Sequence, residues 1–391
     1  MKKIYFEPVG RVHTIHRNLL AHPPHGYRFV TDVTRWDALL APILRSNLLY
    51  FHIHALVRRL FPIHLIKSRL ERRMRRPPPD VAMTYSWGHL VSRREPWVLE
   101  MEWIHQLTDY RIKDFFRYKQ LIEEALASLP CKKIICWSEF NRRHIEANLD
   151  TKGFADRLAV VHWAVPAKKF AKQFDDGPVK LLFVGSANVP GEFDEKGGGT
   201  LVEAFKLLRQ RYPDLHLTIR SDVSEEIRRA CHQIPGIRLL EKILPPEELE
   251  REFMSADVFV LPGHTYYTAF VEAMSYELPI ATTNIHANSE FVEDGVRGLL
   301  IRPSKRVQYY VRDLLPDFDA PTYSRAIQHP DPAMVQDLTE KLSTLIDNQD
   351  LRRSLGRAGR WEVEYGKFSV ERRNEKLKRI FDEATGSPAR A

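Results

Sequence analysis

The residues best suited to chemistry form a glycine-rich stretch in the second half of the chain. The apolar run KLLFVG at residues 180–185 predicts a buried strand, and the loop GSANVPGEFDEKGGG begins at its last residue. Glycines let a backbone approach phosphate oxygens closely, and the helix that follows offers its N-terminal N–H groups to an anion. The pattern therefore favours a phosphate site, with a solvated surface loop as the alternative.

Other candidate reactive groups lack the spacing that metal binding or a disulfide framework requires. None of the 16 histidines stands in an H-E-x-x-H or comparable arrangement. The segment Asp-Phe-Asp at residues 317–319 has the form D-x-D, but no apolar strand leads into it, which is typical of a loop. No C-x-x-C pair occurs among the three cysteines, Cys131, Cys136 and Cys231. We predict neither a catalytic metal nor a disulfide scaffold.

Length and composition are those of an ordinary globular chain. The 391 residues suit two domains, and 43% hydrophobic with 28% charged residues exclude general disorder. No apolar run approaches the roughly 20 residues of a spanning helix. Glu7 interrupts the first apolar stretch too early for a signal peptide. We therefore expect a soluble chain in a reducing, intracellular compartment.

Strand-like and helix-like segments alternate along both halves, which predicts parallel sheets covered by helices. The predicted strands of the first half are residues 2–8, 79–85, 96–103 and 157–163, and residues 131–140 are predicted to form a strand followed by a helix with Ser138 as its N-cap. Those of the second half are residues 180–185, 215–220, 237–243, 257–262, 279–284 and 298–301. We predict two Rossmann-like domains at residues 1–170 and 171–360, joined by the polar stretch 164–180, and a C-terminal helix within 361–391 that packs back toward the first domain.

The excess positive charge lies in the N-terminal half. Residues 1–170 hold 29 Lys and Arg against 16 Asp and Glu, whereas the whole chain carries a net charge of +8. The densest part, residues 41–80, places the apolar run LLYFHIHALV beside nine basic residues. Such a segment either lies on an anionic membrane surface or forms a core helix with a solvated basic face. No nucleic-acid motif accompanies it, so we expect no nucleic-acid partner.

The order of motifs in the second half resembles that of a known enzyme family. FVGSANVPGEFDEKGG leads into a helix, DVFVLPG precedes VEAMSYELPIATTN, and SEFVEDGVRGLLI follows. From about Lys180 to the C-terminus, these motifs resemble the donor domain of retaining nucleotide-sugar glycosyltransferases of the GT-B fold, family GT4. The resemblance implies an α/β fold in which two Rossmann-like, doubly wound domains face each other across a cleft. The first half resembles the family mainly in its strand–helix order and in the turn around WSEFNRRHI.

The resemblance assigns the donor-binding residues. Lys196 stands at the family's phosphate-binding lysine, and Glu272 at the glutamate that accepts hydrogen bonds from the ribose hydroxyls. Gly185 ends the strand that leads into the phosphate loop. Thr268 is expected to begin the helix whose positive end faces the diphosphate. In this role Lys196 and backbone N–H groups stabilise the charge that develops on the leaving phosphate.

Two departures from the family pattern fall in the same region. Ser186 stands where the family has an arginine, and Arg220, at the end of the next predicted strand, is a candidate to supply the missing charge. The family also has a second glutamate, eight positions before Glu272, and that position is His264 here. Either His264 or Thr265 then lies near the transferred sugar, or loop N–H groups alone make that contact.

Two further positions differ in backbone chemistry. Glu277 stands where the family commonly has a helix-ending glycine. Because a left-handed conformation costs a non-glycine residue roughly 1 kcal/mol, we expect a different helix cap here. The segment IHANS at residues 285–289 replaces a glycine-rich turn, and we expect a structural role, with contact to the sugar or phosphate as the alternative.

The first half is the acceptor domain by the same resemblance. Glu102 ends the predicted strand at 96–103, near the position where the family has a residue close to the sugar, and His105 follows three residues later. A carboxylate there can orient or deprotonate an acceptor hydroxyl, but an ordinary polar residue at a strand end is the alternative. Gly10 follows the first predicted strand, where the family brings a glycine loop against the diphosphate and acceptor.

The sequence thus predicts a retaining glycosyltransferase that moves a sugar from a nucleotide diphosphate to an acceptor hydroxyl. We expect no cofactor beyond this co-substrate and no metal. The basic segment suggests a lipid-linked or cell-envelope glycan as acceptor and a cytoplasmic enzyme, peripheral on the inner face of the membrane. Two alternatives remain, a nucleotide-sugar epimerase or hydrolase on the same fold and a binding protein without catalytic activity.

Overall fold

The computed structural model describes residues 1–8, 14–31, 77–91, 94–170, 172–173, 177–187 and 191–386. Contacts divide the chain into two compact units. The first unit comprises Met1–Ala164, Tyr310–Asp319 and Val370–Ala391, and the second comprises Val165–Tyr309 and Ala320–Ser369. Residue 10 and almost all of the basic segment 41–80 lie outside the described residues.

The first unit contains a six-stranded parallel sheet in the order β2-β1-β3-β4-β5-β6. Its strands are β1 (Lys2–Pro8), β2 (Tyr27–Val30), β3 (Val81–Trp87), β4 (Trp97–Met101), β5 (Cys131–Cys136) and β6 (Leu158–Val160). The described α-helices of this unit are α1 (Thr14–Ala21), α2 (Ile112–Ala127), α3 (Glu139–Asn148) and the C-terminal α13 (Val370–Ala384). Two 3₁₀ turns, Ile104–Thr108 and Ala155–Arg157, connect these elements.

Both faces of this sheet are buried, as expected for a parallel sheet with helices on each side. Successive side chains along a strand point to opposite faces. On one face Tyr85 and Val98 pack with Leu19 of α1 and Phe381 of α13. The opposite face forms a second apolar cluster with α2 and α3, which includes Leu99, Met101, Phe115, Ile134 and Ile145. The C-terminal helix α13 is therefore part of the first unit's core.

The second unit contains another six-stranded parallel sheet, in the order β12-β11-β10-β7-β8-β9. Its strands are β7 (Lys180–Val184), β8 (His216–Arg220), β9 (Ile237–Leu239), β10 (Val258–Leu261), β11 (Ile280–Thr283) and β12 (Gly298–Ile301). Its described helices are α4 (Glu192–Glu195), α5 (Gly198–Arg211), α6 (Glu225–His232), α7 (Pro246–Ser255), α8 (Ala269–Ser275), α9 (Asn288–Phe291), α10 (Pro321–Ile327), α11 (Pro332–Asp347) and α12 (Gln349–Glu364). The central strands β10 and β11 are buried along their whole length, which explains their continuous apolar sequence.

The sequence located most of these elements because their signals are local. Ser138 is the N-cap of α3, and its hydroxyl accepts a hydrogen bond from the backbone N–H of Asn141. Strand β2 was not predicted, since four residues with little periodicity give a weak signal. Helix α10, at Pro321–Ile327, lies beyond the last predicted strand. Within the described residues, no helix is both long and apolar enough to span a bilayer.

Candidate functional site

The glycine-rich loop leaves β7 in close contact with the end of β8. The backbone N–H of Gly185 donates to the carbonyl of Arg220 at 2.7 Å, and the Arg220 Nη1 donates to the carbonyl of Gly185 at 2.9 Å. A Cβ at residue 185 would lie 2.4 Å from the Ser221 hydroxyl, so this approach requires glycine. The Ser221 hydroxyl also donates to the carbonyl of Ser186 at 3.1 Å. The two strand ends are thus fixed to each other at the carboxyl edge of the sheet.

Lys196 directly follows the short helix α4 and is held by two side chains. Its Nζ lies 2.7 Å from the Glu192 Oε2 and 5.6 Å from the centre of the Tyr267 ring. Gly197 then turns the chain with φ of 76°, and a Cβ there would lie 2.0 Å from the carbonyl oxygen of Pro262. Only glycine fits at this position. Its lack of a side chain lets the turn that carries Lys196 pack directly against the loop that follows β10.

That second loop is tied to the turn by hydrogen bonds to one carbonyl. The Glu195 carbonyl accepts from the His264 N–H at 2.8 Å and from the Tyr267 hydroxyl at 2.7 Å. The His264 Nδ1 lies 3.0 Å from the Tyr309 hydroxyl, and burial lowers the pKa of His264 to about 4. The imidazole is therefore neutral at pH 7. The Thr265 carbonyl accepts from Asn288 of α9 at 3.3 Å, so residues 285–289 support the loop.

Arg220 lies close to the same turn. It is half-buried, and its Nε has no hydrogen-bond partner among the described residues. Burial lowers the pKa of Arg220, while the nearby carboxylate of Glu192 raises it. Glu192 therefore interacts with two cations. It forms an ion pair with Lys196 and attracts Arg220 electrostatically.

Glu195 contributes a carboxyl group with an unusual charge state. Burial, followed by repulsion from Glu192, raises the pKa of Glu195 to about 7, and Lys196 opposes the change. The group titrates near neutral pH beside a lysine, so the charge of this turn depends on pH between about 6 and 8.

Glu272 lies in the first turn of α8, where Thr268 occupies the predicted N-cap position without a side-chain capping hydrogen bond. The Glu272 Oε1 is 3.4 Å from the Lys168 Nζ, which is also 2.7 Å from Glu250 and 5.0 Å from the centre of the Tyr276 ring. Lys196 and Glu272 therefore have different ion-pair partners within the second unit.

The helix end after Glu272 corrects one prediction. Glu277 does adopt the left-handed conformation, with φ of 58°, in place of a different cap. Its N–H donates to the Met274 carbonyl at 2.9 Å and the Leu278 N–H to the Ala273 carbonyl at 3.2 Å, the two bonds of a Schellman motif. Two arginines of α12 approach the Glu277 carboxylate, Arg360 at 3.5 Å and Arg357 at 3.7 Å. A glycine-type cap is thus kept with a charged residue.

The acceptor-domain candidates occupy contrasting positions in the first unit. The backbone of Glu102 accepts a hydrogen bond from Asn141 at 2.5 Å and donates one to Gln106 at 3.2 Å. His105 has no exposed surface, and neither ring nitrogen has a hydrogen-bond partner in the described part of the chain. Burial lowers the pKa of His105 well below its usual value, so the ring is neutral. Phe318, from the D-x-D segment, packs 6.1 Å from this ring.

One acid that the sequence analysis did not single out has the most developed environment in the first unit. Glu100 of β4 is buried and contacts His16, Tyr85 and Trp137. The available signal was a lone acid within the apolar strand WVLEM. Among the described residues, no group of three or more His, Cys, Asp or Glu side chains is arranged to hold a metal ion.

Comparison with known proteins identifies the part of the chain that carries the glycine-rich loop. Residues 178–315 match the model of the family described as Glycosyl transferases group 1. The match includes Gly185, Lys196, Arg220, His264 and Glu272.

Two curated relatives are glycosyltransferases of polysaccharide biosynthesis. The chain is 25% identical over 167 residues to the amylovoran biosynthesis glycosyltransferase AmsK of Erwinia amylovora, which covers 37% of this chain and 38% of AmsK. It is 23% identical over 196 residues to the capsular polysaccharide biosynthesis glycosyltransferase CapM of Staphylococcus aureus, which covers 48% of this chain and 43% of CapM. The chain thus spans less than half the length of these relatives.

A solved structure supports the fold over both units. HepE of Anabaena, in complex with UDP and glucose, matches 98% of this chain and 99% of its own length with a TM-score of 0.61 at 12% identity. This similarity and the family match confirm the predicted GT-B fold class, an α/β chain with two Rossmann-like units, and the resemblance to this glycosyltransferase family.

Proposed function

We propose that this chain is a retaining glycosyltransferase of the GT4 type, which transfers a sugar from a nucleotide diphosphate donor to an acceptor hydroxyl. The observation that carries the proposal is the glycine-locked turn of the second unit. It places Lys196 at the carboxyl edge of a parallel sheet, where open α/β sheets bind ligands. The family match of residues 178–315 gives this turn its functional context.

The charges around the turn suit a diphosphate. Lys196 and Arg220 are two cations associated with one carboxylate, that of Glu192, and a diphosphate offers the same cations more negative charge. Arg220 thereby supplies the positive charge that the family's arginine would bring at the position of Ser186. Because Arg220 also has an unpartnered Nε among the described residues, it retains a donor for a phosphate oxygen.

The remaining donor contacts follow from the same loops. His264 is neutral, and with Thr265 it belongs to the loop that is fixed to the Glu195 carbonyl, which suits contact with the uncharged sugar. Lys168 contacts both Glu272 and Glu250. Once Lys168 releases Glu272 and keeps Glu250, the Glu272 carboxylate accepts hydrogen bonds from the ribose hydroxyls. The backbone at Thr268 and Gly185 makes the remaining contacts to the donor.

In this proposal the reaction needs no enzyme nucleophile and no metal. The bond between the anomeric carbon and the phosphate oxygen breaks, the acceptor oxygen attacks from the same face, and the leaving phosphate takes the acceptor proton. Lys196, Arg220 and backbone N–H groups stabilise the charge on the departing diphosphate, where fixed donors are most effective.

The acceptor that we propose is a cell-envelope or lipid-linked glycan. AmsK and CapM, which resemble parts of this chain, are named for amylovoran and capsular polysaccharide biosynthesis. The basic segment 41–80 supports attachment to an anionic membrane surface. Flotation with liposomes tests this step: recovery should rise with anionic lipid, and equal recovery with neutral liposomes would contradict it.

The donor site is tested by thermal shift with a panel of nucleotide sugars that includes UDP-glucose. A bound donor raises the unfolding temperature in proportion to ln(1 + [L]/Kd). We expect the shift to shrink in Lys196→Ala and Glu272→Gln and to persist in Lys206→Ala, since Lys206 forms a comparable pair with Glu203 on the next helix. Equal shifts in all of these proteins would remove the assignment.

A binding protein without catalytic activity is the second candidate. It is favoured by Ser186 in place of the arginine and by the Lys196–Glu192 contact, which holds the key cation in an ion pair. Donor binding without release of nucleoside diphosphate in the presence of any acceptor would support it. An epimerase or hydrolase would instead convert the donor with no acceptor present.

A further inference from the structure

A buried histidine–carboxylate pair lies in the first unit, apart from the donor residues. The His16 Nε2 of α1 is 2.8 Å from the Glu100 Oε2 of β4. The side chain of His16 is 1% exposed and that of Glu100 is 9% exposed. In register with Glu100 are Trp87 on β3 and Ile135 on β5, so Glu100 lies on the sheet face that α1 and α13 cover.

The surroundings of Glu100 keep it ionised. Its Oε1 accepts from the Trp137 indole N–H at 2.7 Å, and its Oε2 accepts from the Tyr85 hydroxyl at 2.9 Å. Burial opposes the charge, but His16 and these two donors lower the pKa of Glu100 below its usual value. A carboxylate with this many donors is a fixed acceptor for the imidazole N–H.

This arrangement selects one tautomer of His16. Because the carboxylate takes the Nε2–H, a neutral ring leaves its lone pair on Nδ1. The His16 Nδ1 is buried and has no hydrogen-bond partner among the described residues. A buried polar nitrogen without a partner is unfavourable, so the site is suited to a group that brings its own donor.

A small cavity adjoins this pair. His16, Glu100 and Tyr85 line it together with Arg373 and Trp163, and its volume is about 20 Å³. That is room for one water or one hydroxyl group, and too little for a phosphate or a whole sugar. Among the lining residues, Glu100 and Ile135 are next to the last residues of β4 and β5, and Trp163 lies beyond the end of β6. The cavity therefore lies toward the carboxyl edge of the sheet, where ligands bind in this class of fold.

We propose that His16 and Glu100 form a binding site for one hydroxyl group of the sugar acceptor. The hydroxyl donates its hydrogen bond to the His16 Nδ1, and Glu100 acts as a positioning residue that fixes the ring and its tautomer. The inference rests on the proposed function, because that reaction supplies a hydroxyl-bearing acceptor, and it adds the residues that receive this group.

The test uses the full chain with ¹⁵N-labelled histidine, titrated with the methyl glycosides of glucose, galactose and N-acetylglucosamine. His16→Gln identifies the His16 signals. We expect Nε2 to carry the proton and the Nδ1 resonance to shift with at least one glycoside. In Glu100→Gln the amide N–H can donate to Nε2, which moves the proton to Nδ1 and abolishes the response.

Two controls separate this role from a structural one. Glu7→Gln alters a second buried pair at the same sheet, in which the Glu7 Oε1 lies 3.5 Å from the His89 Nε2, and should leave the His16 response unchanged. Trp137→Phe removes the donor to the Glu100 Oε1 but keeps the charge of Glu100 and does not alter the cavity lining, so it should retain the response. If Glu100→Gln does not fold, the wild-type tautomer and the Trp137→Phe response still decide the matter.

Three results would overturn the inference: a proton on Nδ1 in the wild type, no Nδ1 shift with any glycoside, or a Glu100→Gln response equal to that of the wild type. The second of these is also the result expected if an enclosed water fills the cavity. Thermal shift with UDP on the same samples keeps the two proposals apart. UDP binding with a silent His16 defeats the acceptor site alone, whereas a responsive His16 without UDP binding defeats the donor site alone.

Discussion

Replacing the Glu192 carboxylate should strengthen nucleotide binding. In the structure the Glu192 Oε2 lies 2.7 Å from the Lys196 Nζ, and the same carboxylate acts on Arg220. A diphosphate that uses Lys196 has to displace this internal anion. Glu192→Gln removes the competing charge and retains the size of the side chain, so the variant should bind UDP more tightly than the wild type.

The size of the effect follows from the exposure of the pair. The side chains of Lys196 and Glu192 are 17% and 27% exposed, so the contact is partly screened by solvent. Ion pairs of this kind contribute about 0.5–1 kcal/mol, which corresponds to a roughly two- to fivefold lower Kd for UDP in Glu192→Gln. The gain should shrink at high salt, because screening weakens the pair that the wild type has to break.

Isothermal titration of UDP at low ionic strength measures this change. The titration belongs near pH 6, since the pKa of Glu195 is about 7 and part of its elevation comes from Glu192. At that pH Glu195 is mostly protonated in the wild type. Glu203→Gln is the matched control, because Glu203 forms a lysine pair at 2.6 Å on α5. Weaker UDP binding by Glu192→Gln, or equal tightening by Glu203→Gln, would refute the reasoning.

Three further predictions concern the backbone and charge of the second unit. Gly197→Ala should cost at least about 2 kcal/mol of stability and abolish the UDP thermal shift, whereas Gly295→Ala, with φ of 71° and no atom within 4 Å of a Cβ, should cost only about 1 kcal/mol. Both Glu277→Gly and Glu277→Ala lose the arginine contacts, but only glycine relieves the left-handed backbone, so thermal unfolding should show the glycine variant about 1 kcal/mol more stable. Burial raises the pKa of Glu195 to about 7, so its protonated form is favoured by folding and its contribution to stability falls as pH rises from about 4.5 to 7. We compare the free energies of unfolding in urea of Glu195→Gln and the wild type. The advantage of Glu195→Gln should grow by on the order of 1 kcal/mol between pH 5 and pH 8, and no growth would show that the carboxyl is solvated.

The sequence by itself determined the fold class and the location of the glycine-rich turn. Buried parallel strands such as VFVL at Val258–Leu261 are continuous apolar runs, and glycines mark the turns after them. These signals are local, because burial on both faces and positive φ restrict residue type at each position. Gly185 and Gly197 were therefore visible in the sequence, and the structure supplies the contacts that require them.

The tertiary structure alone decided which charged groups meet. Lys168 reaches Glu272 and Glu250, which are 104 and 82 positions away along the chain, and no local pattern predicts such pairs. The left-handed Glu277 has the same origin: its local cost predicts a different cap, but two arginines of α12 hold its carboxylate. His105 illustrates the converse, since a histidine after a strand gives no sign in sequence of how deeply it will be buried.

The buried pair of His16 and Glu100 shows the limit most clearly. These residues are 84 positions apart, on a helix and a strand that become neighbours only when the chain folds. Sequence fixes where a strand or a glycine turn forms, because each depends on neighbouring residues. The charge state of Glu100, the tautomer of His16 and the pKa of Glu195 depend on desolvation and on partners from distant segments, and those exist only in the folded chain.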